Sequence, residues 1–375
     1  MEKNIKRIKI LFVISNLPQG GAEKQFVQLI KRINKNVFNV HVVLYAYQTK
    51  AFFTELFLIE NITITTNKLK YSFFIFKILE ALTYLNKILS ANKFDLVFTS
   101  LFMNGLFVRI IAPRHYKNRI VASMRNSVKS YNTFYIFAEK YLIQKSFLVF
   151  NSIGALDNFK NIFKVKFHDR LYSVYNGYNF QTKILTVKEK KLNGVVLGAL
   201  GRQTKQKNFI QLARVFNEIP HNNNKIIFQG NSSDETNEIE RLLENNLTNF
   251  EMRKPNPDID SFFKDINILV LPSHYEGCPN VLFETMIRKR ICVVSNGANS
   301  DDFVIDGQSG FVYDGTDEGL LQSLKSAIAI IGSEKEKQIV ENAYKYATKN
   351  FSMEVMVNKY EKLFKEVYEK NKSSN

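Results

Sequence analysis

Only two cysteines, Cys278 and Cys292, occur in 375 residues. That excludes a disulfide framework, and their spacing fits no metal motif, so a reducing cytoplasm is the expected home. Long hydrophobic runs are missing as well. Arg109 interrupts the apolar stretch from Leu101, and Glu139 with Lys140 interrupts the one from Phe134. No segment reaches the ~18 uncharged residues that a membrane-spanning helix needs. Near the start, Lys6, Arg7 and Lys9 precede Ile10–Ile14 in the manner of a signal peptide. The apolar core there is too short, and a turn with Pro18, Gly20 and Gly21 follows at once, so the stretch reads as a first buried strand. The third scarcity is acid in the front half. Residues 1–175 hold 26 Lys/Arg against 9 Asp/Glu, whereas residues 176–375 hold 26 of each, so the whole net charge of +17 sits in front. Aromatic clusters such as Tyr71, Phe73, Phe74 and Phe76 lie there too. An AT-rich genome over-uses Lys, Asn, Ile and Phe but would load both halves equally. The asymmetry therefore points to a basic face for an anionic membrane surface or a lipid phosphate. Charge alone also suits nucleic acid, but no recognition motif supports that partner.

Hydrophobic residues at 45% and charged residues at 23% are the mix of a globular protein, which excludes disorder and collagen-like repeats. Short apolar runs alternate with helical patterns. Strands are expected at Ile8–Ser15, Val40–Tyr45, Leu96–Ser100, Ile120–Met124, Phe147–Ser152 and Tyr172–Tyr175. In the back half they are expected at Gly194–Leu200, Lys225–Gln229, Ile268–Leu271, Ile291–Ser295 and Gly310–Tyr313. Amphipathic stretches between them include Ala22–Ile33, Phe74–Leu89, Thr133–Lys145, Asn208–Glu218, Glu235–Asn245, Asn280–Arg288 and Gly319–Ile331. Near-continuous apolar strands alternating with helices predict an α/β fold of parallel sheets covered on both faces. The polar segment Gln181–Asn193 reads as a linker. Two doubly wound, Rossmann-like domains facing across a cleft follow, 1–180 and 194–350. Ligands in such sheets bind at the carboxyl ends of strands, so the motifs should follow strands.

Three motifs do. Asn16–Glu23 places Gly20 and Gly21 between a strand and a helix, where the backbone can approach a ligand and helix amides can meet an anion. A plain tight turn explains it equally well, and it is neither a dinucleotide fingerprint nor a P-loop. Gly198–Gln203, with Lys205, Lys207 and Asn208, sets Arg202 just past a strand and Lys207 at the next helix. Two cations there can grip a diphosphate, and a solvated lysine-rich loop is the plain alternative. The third motif, Leu271–Glu284, is the most specific. Its glutamates, Glu276 and Glu284, are eight residues apart; on one continuous helix they would be turned by about 80°. With the helix starting near Pro279, Glu276 lies on the loop and Glu284 in the first turns. Both carboxylates can then accept hydrogen bonds from sugar or ribose hydroxyls. The amides of Asn280, Val281 and Leu282 are expected free at a positive helix end, facing phosphate.

Together with Gln206-Lys207-Asn208 and Asp306-Gly307-x-x-Gly310-Phe311, these motifs resemble the family-4 retaining glycosyltransferases. The likeness runs from Ile10 to about Phe351. It implies the two-domain GT-B fold and a nucleotide sugar as substrate, with neither cofactor nor divalent metal. Arg202, Lys207 and Glu276 become the catalytic candidates. Arg202 and Lys207 would hold the donor diphosphate, Glu284 the ribose, and Glu276 the donor sugar in a positioning role, since the family retains configuration without a protein nucleophile. Gly20 and Gly21 would flank the reacting centre. The resemblance further implies that the last helix, the amphipathic pattern 352–370, crosses back to the first domain. A lipid-linked (polyprenyl-diphosphate) or oligosaccharide acceptor, UDP as the nucleotide and peripheral attachment to the cytoplasmic membrane face complete the expectation, in bacterial capsule, O-antigen or other surface-glycan synthesis.

The chain departs from the family where many relatives carry a histidine: here the sequence reads Ser100-Leu101-Phe102-Met103-Asn104-Gly105. Asn104, with Arg125 and Asn126 after the strand ending at Met124, are the substitute acceptor-site candidates. Membrane contact is expected around Lys68–Lys77 and Ala112–Lys129. A nucleotide-sugar epimerase or an inactive sugar-nucleotide-binding subunit on the same fold are the competing functions. An epimerase wants more acid/base groups than these motifs supply, and retention of both glutamates, Arg202 and Lys207 argues against decay.

Overall fold

A computed structural model describes the chain except for residues 1–5, 19, 48–53, 71–72, 125–132, 165–167, 180–193, 221–222, 245–248 and 374–375. The expected linker, and the candidates Arg125 and Asn126, therefore lie outside the described residues. The chain divides into two compact units, Met1–Gly177 with Met353–Asn375, and Tyr178–Ser352.

The front unit holds a seven-stranded sheet of β1 (Ile8–Ile14), β2 (Phe38–Leu44), β3 (Ile62–Thr66), β4 (Leu96–Thr99), β5 (Ile120–Met124), β6 (Phe147–Phe150) and β7 (Leu171–Ser173). Every pairing is parallel, in the order β3-β2-β1-β4-β5-β6-β7, with Ile10 opposite both Val40 and Leu96. Its helices are α1 (Gly21–Arg32), α2 (Phe74–Ala91), α3 (Phe102–Ile111), α4 (Thr133–Leu142) and α5 (Ile153–Phe163). The back unit repeats the plan with β8 (Val196–Leu200), β9 (Lys225–Gln229), β10 (Phe250–Arg253), β11 (Ile268–Leu271), β12 (Ile291–Ser295) and β13 (Phe311–Tyr313). They pair in parallel in the order β10-β9-β8-β11-β12-β13. Helices α6 (Phe209–Phe216), α7 (Thr236–Glu244), α8 (Ile259–Asp265), α9 (Asn280–Ile287), α10 (Asp317–Ala329) and α11 (Glu334–Phe351) belong to it. Parallel strands need crossovers, and crossovers put helices on the sheet faces, which is why the strands read as near-continuous apolar runs.

The last helix, α12 (Met353–Lys372), is part of the front unit, as its stripe requires. Met353, Met356, Val357, Tyr360, Leu363, Phe364 and Val367 are all buried. Phe364 meets Phe12 and Phe98 edge-on at 6.0 and 5.5 Å, and Tyr360 meets Phe98 at 5.5 Å. Such ring pairs contribute about 0.5–1.5 kcal/mol each beyond their burial.

Two strands outside the sequence reading, β3 and β10, each form one edge of their sheet. Ile62–Thr66 alternates and is half-exposed, and Phe250–Arg253 carries two charges, so neither reads as a buried run. Helices α3, α5, α8 and α11 also go beyond that reading. The signal for α11 was present, since Ser333 caps it by accepting from the Glu336 amide at 3.3 Å.

Candidate functional site

In the back sheet the chain direction of travel reverses between β8 and β11, and the loops that leave these two strands define the switch point. The first, residues 201–208, starts at Gly201, where φ is +147° and the backbone runs close beneath Gly230. A Cβ on Gly230 would stand 1.8 Å from the Gly201 carbonyl oxygen, so only glycine permits this crossing. The loop then tightens as the amides of Lys207 and Asn208 both donate to the Thr204 carbonyl, at 2.8 and 3.1 Å. Asn208 takes the left-handed conformation (φ +54°), and α6 begins.

The second loop, residues 272–279, is fastened to the first by Gln206. Its carbonyl accepts from the His274 amide at 2.9 Å, and its side-chain Nε2 donates to the Tyr275 carbonyl at 3.0 Å. Beneath, the Glu276 amide donates to the carbonyl of Gly297 at 3.1 Å. A Cβ on Gly297 would lie 2.1 Å from the His274 carbonyl oxygen, so that glycine lets the loops close on each other. The outcome is one ion pair between loops 69 residues apart. Lys207 Nζ donates to Glu276 Oε1 at 2.7 Å, with side chains 17% and 11% exposed. Two predicted catalytic residues thus meet at the switch point.

Arg202, the third, behaves differently. It is exposed, and its guanidinium has no hydrogen bond or ion-pair partner among the described residues. It borders a groove of about 440 Å³ with Lys205, Gln206, Ser233 and Glu235. Burial pushes the Glu235 carboxyl upward from its ordinary range, partly offset by Lys205, and its Oε2 is buried without a partner.

Glu284 sits in the first turns of α9, as expected, with its carboxylate held by Arg288 one turn later at 2.5 Å. Arg288 is 4% exposed and also binds Asp260 through Nε and Nη2 at 2.9 and 2.5 Å. The sequence reading missed this clamp, although a Glu-to-Arg spacing of four on a helix is a visible signal. It also missed Tyr178, whose hydroxyl donates to Asn280 Oδ1 at 2.6 Å. No side chain caps α9 at Pro279. One of the three amides expected to be free is not: Leu282 donates to the Pro279 carbonyl at 3.0 Å, because the helix opens with a tight turn.

In the front unit, Gly21 is exposed as the first residue of α1, and Gly20 precedes the helix in an extended conformation. A Cβ on Gly20 would stand 2.2 Å from Glu23 Oε2, so this glycine makes room for the buried Glu23 carboxylate. Asn104, the other front-half candidate, is buried. It is 2% exposed, its Oδ1 accepts from the Tyr45 hydroxyl at 2.5 Å, and its Nδ2 donates to the Ser100 carbonyl at 2.5 Å. An amide so engaged and so buried braces the β4–α3 junction, where Leu101 has a φ of +75°.

Among known proteins, residues 180–346 match the family Glycosyl transferases group 1. The capsular polysaccharide biosynthesis glycosyltransferase CapM of Staphylococcus aureus is 25% identical over 202 residues, 50% of this chain and 52% of CapM. The chain thus spans about half the length of that relative. CapH, another S. aureus capsular polysaccharide biosynthesis glycosyltransferase, is 24% identical over 304 residues, 77% of this chain and 81% of its own. Among solved structures, Anabaena Alr3699/HepE in complex with UDP and glucose superposes with a TM-score of 0.77 over 96% of this chain and 100% of its own. At 16% identity that likeness carries the fold, which is GT-B. The family match thus falls on Tyr178–Ser352, the unit that joins Lys207 to Glu276.

Proposed function

We propose that this chain is a retaining glycosyltransferase that moves a sugar from a nucleotide diphosphate sugar, UDP the expected nucleotide, to a lipid-linked or oligosaccharide acceptor of a bacterial surface polysaccharide. The observation that carries the reading is the Lys207–Glu276 pair at the carboxyl edge of the back sheet, with Arg202 unengaged in the same loop. Cleavage of an anomeric carbon–oxygen bond to phosphate leaves negative charge on the departing diphosphate and cationic character on the sugar. Lys207, fixed in place by Glu276, and the open guanidinium of Arg202 meet the first charge, and such preorganised groups contribute several kcal/mol. These two cations take the role a divalent metal plays elsewhere. The start of α9 adds its positive end. Glu276 positions Lys207 and accepts from sugar hydroxyls. Glu284, pre-oriented by Arg288, accepts from ribose.

The relatives named above are capsular polysaccharide enzymes, which supports the acceptor class. No described helix is long and apolar enough to cross a membrane. The reading includes peripheral attachment to the inner membrane face, which the excess of cations in the front half supports. A thermal-shift screen of UDP- and GDP-sugars tests the donor assignment. A donor at 100 times its Kd stabilises by about 2.7 kcal/mol. Glu284→Ala should lose that shift at the same concentration. If no nucleotide sugar stabilises the protein, the reading falls.

A further inference from the structure

The helix α2 is apolar on two faces. One stripe, Ala81, Leu85 and Leu89, is buried against Leu11, Val13, Val43 and Val97 of the front sheet. The other carries Phe73, Ile75, Phe76 and Leu79, exposed by 78%, 69%, 54% and 54%. An apolar surface of this size on a helix whose core face is already satisfied marks a place of contact. Beside it runs the segment that leaves β3. Asn67 ties that segment down by donating to the Leu44 carbonyl and accepting from the Tyr47 amide, both at 2.9 Å. The Lys70 amide then donates to Glu80 Oε2 at 2.9 Å. Between segment and helix lies a groove of about 720 Å³, lined by Phe73, Phe76, Leu79 and Tyr84 with Lys70 and Lys87. From Phe73 to Lys87 it follows α2 for about 21 Å at 1.5 Å per residue.

Charge selects the occupant. Glu80 is the one carboxylate among the described residues that line the groove, and a backbone amide engages it. The ammonium groups of Lys68, Lys70, Lys77 and Lys87 are exposed and have no ion-pair partner among the described residues. A long apolar floor flanked by open cations matches an amphiphile with a hydrocarbon tail and an anionic head. Position gives the direction. Because α2 links the parallel strands β3 and β4, its first turn lies at the carboxyl edge of the sheet, the ligand-binding edge of doubly wound folds. We infer that this groove holds the hydrocarbon chain of a lipid-linked acceptor, with its phosphate at the Lys70 end of α2. The inference rests on the glycosyltransferase reading above and assigns the class of its acceptor. A flat bilayer contact would need the apolar side chains but not a channel along the helix.

The chain contains no tryptophan, so Phe76→Trp provides a single emitter in the groove. Titration of this variant with geranylgeranyl diphosphate below its micelle concentration should give a saturable blue shift. Leu79→Asp in the same background should weaken the apparent affinity at least tenfold, and Lys70→Glu several-fold. Inorganic pyrophosphate should leave the emission unchanged. Phe73→Trp repeats the measurement from the other end of the groove, in case a tryptophan at 76 fills it. No saturable shift in either variant overturns the inference, as does an equal response to pyrophosphate. A shift that appears only with phosphatidylglycerol vesicles also overturns it, and makes the face a bilayer contact. The thermal response to UDP-sugars is read separately, and its loss with prenyl binding intact would sink the donor reading and leave the groove.

Discussion

The two units share an architecture and differ in their surfaces. Of the large apolar side chains exposed among the described residues, twelve lie in the front unit and only Tyr275 and Ile305 in the back one. Charge follows the same division. The back half balances its cations and closes many of them into pairs: Lys225 and Arg253 on Glu251, Arg288 on Glu284 and Asp260, Lys289 on Glu341, Arg214 on Asp317. The front half carries 26 cations against 9 acids and leaves those around α2 open. One sheet plan thus serves two tasks. A surface of closed pairs suits a unit that must present a few chosen charges to a small polar ligand. A surface of open lysines and bare aromatics suits a unit that meets a larger amphiphile.

One side chain in each unit is a good place to break this contrast. In the front unit, Arg109 and Glu139 form a bidentate pair whose side chains are 0% and 1% exposed, with Nη2–Oε2 at 2.9 Å. Arg109 Nε also donates to the Gly105 carbonyl at 3.0 Å. Removing one partner strands a buried charge, so Arg109→Met should cost about 3–5 kcal/mol in urea unfolding. A loss below 1 kcal/mol would mean that water reaches Glu139. In the back unit the informative side chain is Arg202, exposed beside the Lys207–Glu276 pair. Arg202→Ala removes no contact in the free protein and should leave the melting temperature unchanged. Turnover should nevertheless fall by about 10²–10³, the usual effect of deleting one preorganised donor at a developing charge. A fall in stability that matches the fall in rate would make Arg202 structural.

How far the sequence discloses all this depends on whether a residue's neighbours are near it in the chain. The central strands were legible because burial on both faces leaves an unbroken apolar run, as in Leu11–Ile14. The α12 stripe was legible because all seven of its apolar positions repeat at helical spacing. Lys207 and Glu276 were visible as motif residues, but their contact was not, since it depends on Gln206 fastening loops 69 residues apart. The burial of Asn104 was not legible, because its sequence position shows only that it follows a strand, while its partner Tyr45 lies just past a different strand. The edge strands β3 and β10 stayed hidden because exposure on one side admits polar and charged residues.

A smaller effect sharpens the view of the helix that presents Glu284. Tyr178 stacks on Phe283 with centroids 5.0 Å apart, and its hydroxyl holds the Asn280 side chain in the first turn of α9. Tyr178→Phe keeps the ring and removes the hydroxyl, so the stability cost should be about 0.5–1.5 kcal/mol. Nucleotide affinity, read by the same thermal shift, should weaken with it. A stability loss without any change in affinity would separate α9 from donor binding.

The smallest effect tests whether the closed pairs of the back unit matter to its edge. Glu251 on β10 accepts from Arg253 at 2.7 Å and from Lys225 on β9 at 2.7 Å. These hydrogen bonds, Arg253's first, hold its carboxyl down at about 2 from an ordinary 4.5, against the opposing effect of burial. A carboxyl whose pKa is lower in the folded chain binds fewer protons there than in the unfolded one. Its contribution is therefore complete above about pH 4.5 and is lost as the pH falls toward 2. The side chain is 37% exposed, so solvent screening limits the pair to a few tenths of a kcal/mol up to about 1. Glu251→Gln should consequently lower stability slightly at pH 7 and flatten the decline between pH 4.5 and 2. If wild type and variant decline in parallel through that window, Glu251 contributes nothing to the acid response. The edge of the back sheet would then be held by its backbone pairing with β9 alone, much as β3 is held by β2 in the front unit.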